Sequence, residues 1–438
     1  MALQKYLHEL TDRGRLVTIT EPVSKTYQIS SLLKKLEPKP VLFEQVIDSP
    51  FQVVGNLFCS KASFAEYFSI QTAEIIPRLI TAIDQPRKCE EAPIAPCQEV
   101  IDIRPNLENY PILRHFMNDG GNYITSGVVI AKHPIYGHNV SFHRMMQFSD
   151  REMAIRVVAH RHFDHYLNDL KEVEVAVCIG VSPNLLIAAG TSVAMGINEL
   201  EIANALEPLA VVRAKTVDVY IPAEAEFVLE GTVYLDRRHP EGPFVDLTET
   251  EDIVRYEPVF EVKTITHRKE AIWQALLSGG LEHKMLMGMP REATIFKEVN
   301  KVVKCLDVYL NPGGCSWLHA IVKIEKRKED DGKKAIQAAF TGHRSCKHVF
   351  IVDDDIDIYN PQEVEWAMAT RFQADRDLVI IGKEPGSSLD PSAQPETYLT
   401  TKVGFDLTKP LVAQGKSFAK VRYPEIDDTK IVKDYLPK

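Results

Sequence analysis

Three histidines fall within six residues in His160-Arg161-His162-Phe163-Asp164-His165. Imidazole is the commonest side-chain ligand of transition metals, so the run is a candidate part-site. It lacks HExxH spacing, so further ligands must come from elsewhere; the plain alternative is a solvated helix start. Asn139-Val140-Ser141-Phe142-His143-Arg144 has the texture of a strand. Alternation there puts Asn139, Ser141 and His143 on one face and Arg144 on the other, although edge decoration reads the same way. Glu241-Gly242-Pro243-Phe244-Val245-Asp246 carries two carboxylates five apart around a Gly-Pro bend. Proline fixes φ and glycine permits a tight reversal, so both acids can reach one locus. Paired carboxylates in unlike surroundings can divide acid and base roles, while an ordinary polar turn would look similar. Glu199, Glu201, Glu224, Glu226 and Glu230 add acids, but in a chain of net charge −10 they discriminate nothing alone. Asp353-Asp354-Asp355 follows the apolar run HVFIV. A strand end can face a ligand crevice, yet here a helix cap or subunit contact is favoured.

These groups need elements to position them. Residues 3–14 read as a helix ending near Gly14, followed by strand-like VTITEPV and KPVLFEQV with helical ISSLLKKL between them. A second helical stretch covers 62–84, and the Pro-rich connector from Pro86 marks a boundary. From about 100 to 275 strand-like runs are dense and end at Gly, Pro or Asp, the pattern of a β-barrel or β-sandwich. Helical HFDHYLNDLKE and INELEIANALE interrupt it. From about 295, helix and strand alternate, which predicts an α/β unit with a partly parallel sheet.

At 438 residues the chain is long enough for two or three domains. Its 45% hydrophobic and 26% charged residues are ordinary for a soluble globular protein. No basic stripe is present, which argues against a nucleic-acid partner. KIEKRKEDDGKK mixes both signs and reads as a solvated hairpin tip. Seven widely spaced cysteines, an odd number with no CxxC, predict reduced thiols in a cytoplasmic protein. The start, MALQKYLHELTDRGRLV, reads as an amphipathic helix and not a signal peptide, and no apolar run approaches the ~20 residues that span a membrane.

Taken in order, these motifs resemble those of UbiD-type decarboxylases: Asn-x-Ser-x-x-Arg, a histidine about 21 residues after the asparagine, a glutamate opening a helix, then EGPF-x-D. The resemblance covers nearly the whole chain. Ile221-Pro222-Ala223-Glu224-Ala225-Glu226 with Val228-Leu229-Glu230-Gly231 is similar to the family's VPAxAExVLEG strand, with Ile for the leading Val. Ile265-Thr266-His267-Arg268 and Asn311-Pro312-Gly313-Gly314-Cys315 resemble further family segments. So do residues 352–357, Trp366-Ala367 with Thr370-Arg371, and Thr401-Lys402-Val403-Gly404-Phe405-Asp406.

The resemblance implies a mixed α+β fold: an N-terminal α/β domain (1–98), a central split β-barrel that binds flavin (99–294) and a C-terminal α/β oligomerisation domain (295–438). It implies prenylated FMN, supplied by a flavin prenyltransferase, with Mn2+ or Mg2+ and K+ at the phosphate. Asn139, Glu199 and a histidine would hold the divalent metal; His160 fits ungapped counting and the Arg161 that follows, and His162 fits if one residue is inserted. Ser141, Phe142, His143, Arg144, Arg161, His162 and Lys402 would contact the cofactor, Lys402 as a point charge on its phosphate. Arg144 would hold the substrate carboxylate, Asp246 would return a proton to carbon after CO2 leaves, and Glu241 would tune both. Some relatives have Glu at the position of Asp246. GGLEHKMLMGMPRE resembles the short archaeal and anaerobe branch, so His283 and Arg291 would bind a second anionic group; the alternative is a loop packed beneath the cofactor. The expected substrate is anhydromevalonate phosphate, giving isopentenyl phosphate for isoprenoid biosynthesis. An aromatic or furan-type acid is the alternative. From other classes come a non-catalytic flavin carrier and an FMN reductase. A homo-oligomer, dimer or hexamer, is expected.

Overall fold

The computed structural model describes residues 3–412, 415 and 417–421. Helix Leu3–Asp12 buries Leu3, Tyr6, Leu7 and Leu10, an i, i+3, i+4, i+7 stripe. Helix Gln28–Leu36 buries Ile29 and Leu33 in the same way. Ser60 caps helix Lys61–Phe68 by accepting from the Ser63 amide, while the Ser63 hydroxyl is shared with the Ser60 amide. The sheet of this first unit runs Val17–Ile19, Val41–Phe43, Gln52–Gly55 and then Ile272–Gln274. Its last strand comes from more than 200 residues further along, which ties the unit to the middle of the chain.

The centre is a nine-stranded antiparallel sheet curled into a half-barrel. From one end it runs Gly137–Phe142, Val128–His133, Glu172–Ile179, Phe227–Glu241, Arg255–His267, Glu152–Ile155, Met145–Gln147 and Asn122–Ile124. Val100–Asp102 adds to Arg255–His267. Alternate residues enter different cores. Val128, Ile130, Ala176, Cys178 and Val228 pack under the flanking helices, and Val129, Ala131, Val175, Val177 and Leu229 pack inside the curl. In the chain, the two strands at one end of this path flank the two at the other. Residues 125–127 cross from one to the other, and His143 and Arg144 cross back. Arg144 therefore sits on the seam where the barrel closes covalently but not by strand pairing.

The last unit is a mixed five-stranded sheet in the order Lys304–Leu310, His319–Glu325, His348–Val352, Leu399–Asp406, Leu378–Pro385, the middle three parallel. Helix Asp331–Gly342 covers one face and Pro361–Arg371 the other. Helix Leu281–Asn300 links the centre to this unit and passes through residue 294. Gly288 and Pro290 lie inside this helix, so residues 281–292 of GGLEHKMLMGMPRE are not the loop held as the alternative. Glycine is required at 288 because Ser316 presses against it: a Cβ there would lie 2.6 Å from the Ser316 carbonyl.

Two other expectations change. KIEKRKEDDGKK is a strand-to-helix connection and not a hairpin tip; the Asp331 carboxylate accepts from the Arg327 and Lys328 amides at 2.8 Å and sets the helix start. Asp353 and Asp355 cap no helix: both grip the fully buried Arg371, at 2.9 and 2.8 Å, and Asp353 also accepts from the Lys409 amide. All seven cysteines are free thiols. Among the described residues no helix is long and apolar enough to cross a membrane.

Candidate active site

Strand Phe227–Glu241 delivers Glu241, fully buried, to the seam. The chain then reverses at Gly242 with φ +106°, a region open to glycine. A short ribbon follows, in which Phe244 pairs with Asp252 before strand Arg255–His267 returns. Gly120 backs this bend: its amide donates to the Pro243 carbonyl at 2.9 Å, and a Cβ at 120 would lie 2.1 Å from the Gly242 carbonyl oxygen.

Arg144 enters this pocket with its guanidinium 4.5 Å above the Phe244 ring. Nε and Nη2 donate to the two Glu241 oxygens, both at 2.9 Å, a bidentate fork. Nη1 donates to Asp246 at 2.5 Å and Nη2 donates again to Asp252 at 2.9 Å. Four of the five N–H bonds of a guanidinium are thus engaged. Burial opposes the charge of Arg144, but Glu241, Asp246 and Asp252 outweigh it and hold the group above its ordinary value. The carboxylates five residues apart therefore do meet at one locus.

Asn139 and Ser141, on strand Gly137–Phe142, and His143 just beyond its end form a row. The Ser141 hydroxyl lies 3.3 Å from Asn139 Oδ1 and 3.0 Å from His143 Nε2, and His143 Nδ1 lies 2.8 Å from the Arg156 carbonyl. Burial drives His143 down to about 4, so it is neutral. Glu199 opens helix Glu199–Leu206 and reaches this row. Its carboxylate accepts from the Val140 amide at 2.9 Å and from Asn139 Nδ2 at 3.4 Å. Burial raises Glu199 to about 7, only partly offset by the Val140 N–H. Among the described residues no lysine, arginine or histidine forms an ion pair with it.

An amide and an uncompensated buried carboxylate are hard donors that suit Mg2+ or Mn2+. The third ligand is not joined to them. His160 is exposed, at φ 62°, with its amide bonded to Asp164 at 2.7 Å; His162 is half-buried at the start of helix His162–Leu170. That helix does lie against the site, with the Phe163 ring 5.0 Å from His143.

Helix Leu281–Asn300 forms a further wall. His283 accepts from the Gly279 amide through Nδ1 at 3.1 Å and lies within the fields of Asp246 and Arg144; burial first, then Arg144, lowers its basicity. Arg291, two turns on and so ~12 Å along the axis, stacks on Trp317 at 5.5 Å and leaves Nε without a hydrogen-bond partner. Burial, then the charge of Arg161, pushes Arg291 down to about 10. His343 feels Arg291, Lys402 and Arg161 together, and its Nε2–H donates to the Trp317 carbonyl, 3.0 Å away. Lys402 is buried, with Nζ donating to the Arg344 carbonyl at 2.5 Å and lying over Phe340. Arg161, Arg291 and Lys402 thus bring positive charge to one region, with His343, lowered to about 3 by burial and by Arg291, neutral among them. Phe142 is half-buried beside the apolar core under the helices.

Sequence reasoning missed Asp252, Arg255, Phe244 and His343. DLTETEDIVR is too rich in acids for Asp252 to stand out, and only the ribbon pairing brings it to Arg144.

Three family profiles tile the chain: the N-terminal domain of 3-octaprenyl-4-hydroxybenzoate carboxy-lyase over 7–83, its Rift-related domain over 88–281 and its C-terminal domain over 284–407. The chain is 41% identical to the anhydromevalonate phosphate decarboxylase of Methanocaldococcus jannaschii, over 93% of this chain and 97% of that one. It is 39% identical to the protein of the same name from Methanothermobacter thermautotrophicus, with the same coverage. Among solved structures, the UbiD-class enzyme HmfF from Pelotomaculum thermopropionicum in complex with FMN superposes with TM-score 0.95 at 35% identity over the full length of both chains. An evolved dimeric form of that enzyme in complex with prFMN gives TM-score 0.91 at 33% identity, covering 99% of this chain and all of the other.

Proposed function

Because this chain belongs to the UbiD family of carboxy-lyases, and is a decarboxylase of that class, we propose that it removes CO2 from an α,β-unsaturated acid bearing a second anionic group, with prenylated FMN as cofactor. The favoured substrate is anhydromevalonate phosphate, giving isopentenyl phosphate. The observation that carries this is the pairing of Arg144, pinned among Glu241, Asp246 and Asp252, with an Arg291 that has no carboxylate partner among the described residues. The names of the relatives at 39% and 41% identity support the same substrate.

Prenylated FMN, when bound, supplies the electron sink that makes loss of CO2 accessible. Asn139, Glu199 and one of His160 or His162 would hold Mn2+ or Mg2+. Lys402, with Arg161, would face the phosphate, and K+ belongs to the same reading. Ser141, Phe142 and His143 would line the cofactor. Arg144 has one N–H unassigned, so a substrate carboxylate gains a two-point grip only when Asp246 releases Nη1. Protonation of Asp246 does this. The same proton then passes to the carbon that lost CO2, and Asp246 returns to Arg144 as a carboxylate. Glu241 keeps the guanidinium in plane throughout. His283 would orient the substrate beside Asp246, and Arg291 would take its distal phosphate.

A flavin prenyltransferase as cofactor supplier, a cytoplasmic location and a homo-oligomer complete the reading, as does a three-domain division near residues 98 and 294. The dimeric form of one structural neighbour supports the oligomer. The test is the chain co-expressed with a flavin prenyltransferase and offered anhydromevalonate phosphate, its dephosphorylated form and an aromatic acid. Turnover of the phosphorylated acid is expected, with Arg291→Met raising KM about 100-fold for it alone. Preference for the aromatic acid would overturn the substrate assignment.

A further inference from the structure

Asp252 stands between two arginines. Its Oδ2 is 2.9 Å from Arg144 Nη2 and 2.6 Å from Arg255 Nη1, and Oδ1 accepts from the Ile253 amide at 3.0 Å. The side chain is 10% exposed, so water screens little of this charge. Arg255 faces Glu241 across the strand pair, and Tyr398 of the last unit lies hydrogen-bonded against Arg255. We propose that Asp252, backed by Arg255, is a positioning residue for decarboxylation: it keeps Arg144 in place when Asp246 lets go, and its charge governs how firmly Asp246 keeps the proton it delivers. This rests on the decarboxylase reading above.

Two cations, Arg144 and Arg255, meet three carboxylates, Glu241, Asp246 and Asp252, which leaves one negative charge in excess. Protonating Asp246 removes that excess. Asp252 cannot serve as the proton carrier: burial disfavours its ionised form, but Arg255 and Arg144 outweigh this and hold it below the usual carboxylate range. It is the fixed negative charge, and Asp246 is the carboxyl to which the decarboxylase reading gives the proton transfer. From the helix, the titratable His283 lies in the fields of Asp246 and of Lys284, with Lys284 3.3 Å from Glu249 and Glu249 3.2 Å from Lys34. Neither substitution below touches them.

Neutralising Asp252 with its isostere and removing the charge of Arg255 give opposite results. Asp252→Asn removes the excess charge, so Asp246 loses its proton more readily. Arg255→Gln increases the excess, so Asp246 keeps its proton longer. In the prenyl-flavin holoenzyme, the alkaline limb of kcat/KM is expected to move down by about one pH unit in Asp252→Asn and up by a similar amount in Arg255→Gln, about tenfold in rate on that limb. Flavin content should stay near wild type while Tm falls in both variants, and Asp252→Glu should restore most of the profile. Limbs that move in the same direction, or do not move, would overturn the proposal. The carboxyl 13C resonance of Asp246, followed through pH in the full-length cofactor-free chain, provides a second reading. If the wild type releases no CO2 from any acid, the decarboxylase reading fails. The opposite shifts of that resonance then still decide the electrostatic inference, and an unchanged resonance in both variants sinks it.

Discussion

Asn139, Ser141 and Arg144 were legible as residues because a strand has a period of two and chemistry on both faces shows as alternation. Glu241 and Asp246 were legible because Gly-Pro lies between them. Asp252 was not, since no local spacing links it to Arg144; ribbon pairing does. The histidine of the metal site stays undecided in sequence, and in the structure His160 and His162 occupy one turn without bonding to Glu199. Glu199 itself makes a prediction. Burial raises it from the ordinary 4.5 to about 7. Its contribution to stability is therefore complete below about 4.5 and is lost as pH rises through about 7. A divalent cation bound to the carboxylate removes that loss. Added Mn2+ should raise Tm clearly more at pH 8 than at pH 5.5, with proton release measurable by calorimetry at the lower pH. Glu199→Gln should abolish the difference, which separates Glu199 from Glu226 and Glu282, the other carboxyls raised to about 7. An equal Tm increase at both pH values would contradict it.

Among elements, the strands were readable from alternation and turn residues, and their antiparallel pairing followed from short connections. The seam was not, because whether a curled sheet closes depends on which ends meet, and that is set by crossings of two or three residues. Helix Leu281–Asn300 was hidden by Gly288 and Pro290, whose local preference is overridden by packing against Gly190 and Ser316. The bend at Gly242 depends on close backbone approach. Gly120→Ala places a methyl group 2.1 Å from the Gly242 carbonyl, so the bend must move and carry Glu241 and Asp246 with it. A displacement of about 1 Å can cost about 100-fold in rate. Crystallography of Gly120→Ala should show a shifted bend, and the holoenzyme should lose about that factor in kcat while keeping its flavin.

The molecule as a whole is bound together by contacts that no segment reveals alone. Lys61, on a helix of the first unit, is buried and lies 2.5 Å from Glu292 of the linking helix; it also donates to the Val308 carbonyl at 2.8 Å and to Tyr359 at 3.1 Å. One side chain thus ties the first unit to the last. Removing one member of a buried pair leaves the other charge uncompensated, at about 3–5 kcal/mol. Lys61→Met should lower the urea midpoint accordingly, and Glu292→Gln in the same chain should recover most of the loss. The order of units was legible because composition changes at the Pro-rich connector and near residue 295. Their mutual attachment was not, because strand Ile272–Gln274 joins the first sheet from the middle of the chain.

The decisive measurement is product analysis of the prenyl-flavin holoenzyme in D2O, with the bound flavin quantified by mass. Wild type should release CO2 and place one deuterium on the carbon that lost it, while Asp246→Asn and Glu241→Gln should release essentially none with flavin still bound. Near wild-type deuterated product from Asp246→Asn would contradict the assignment of that carboxyl as the proton donor held by Arg144.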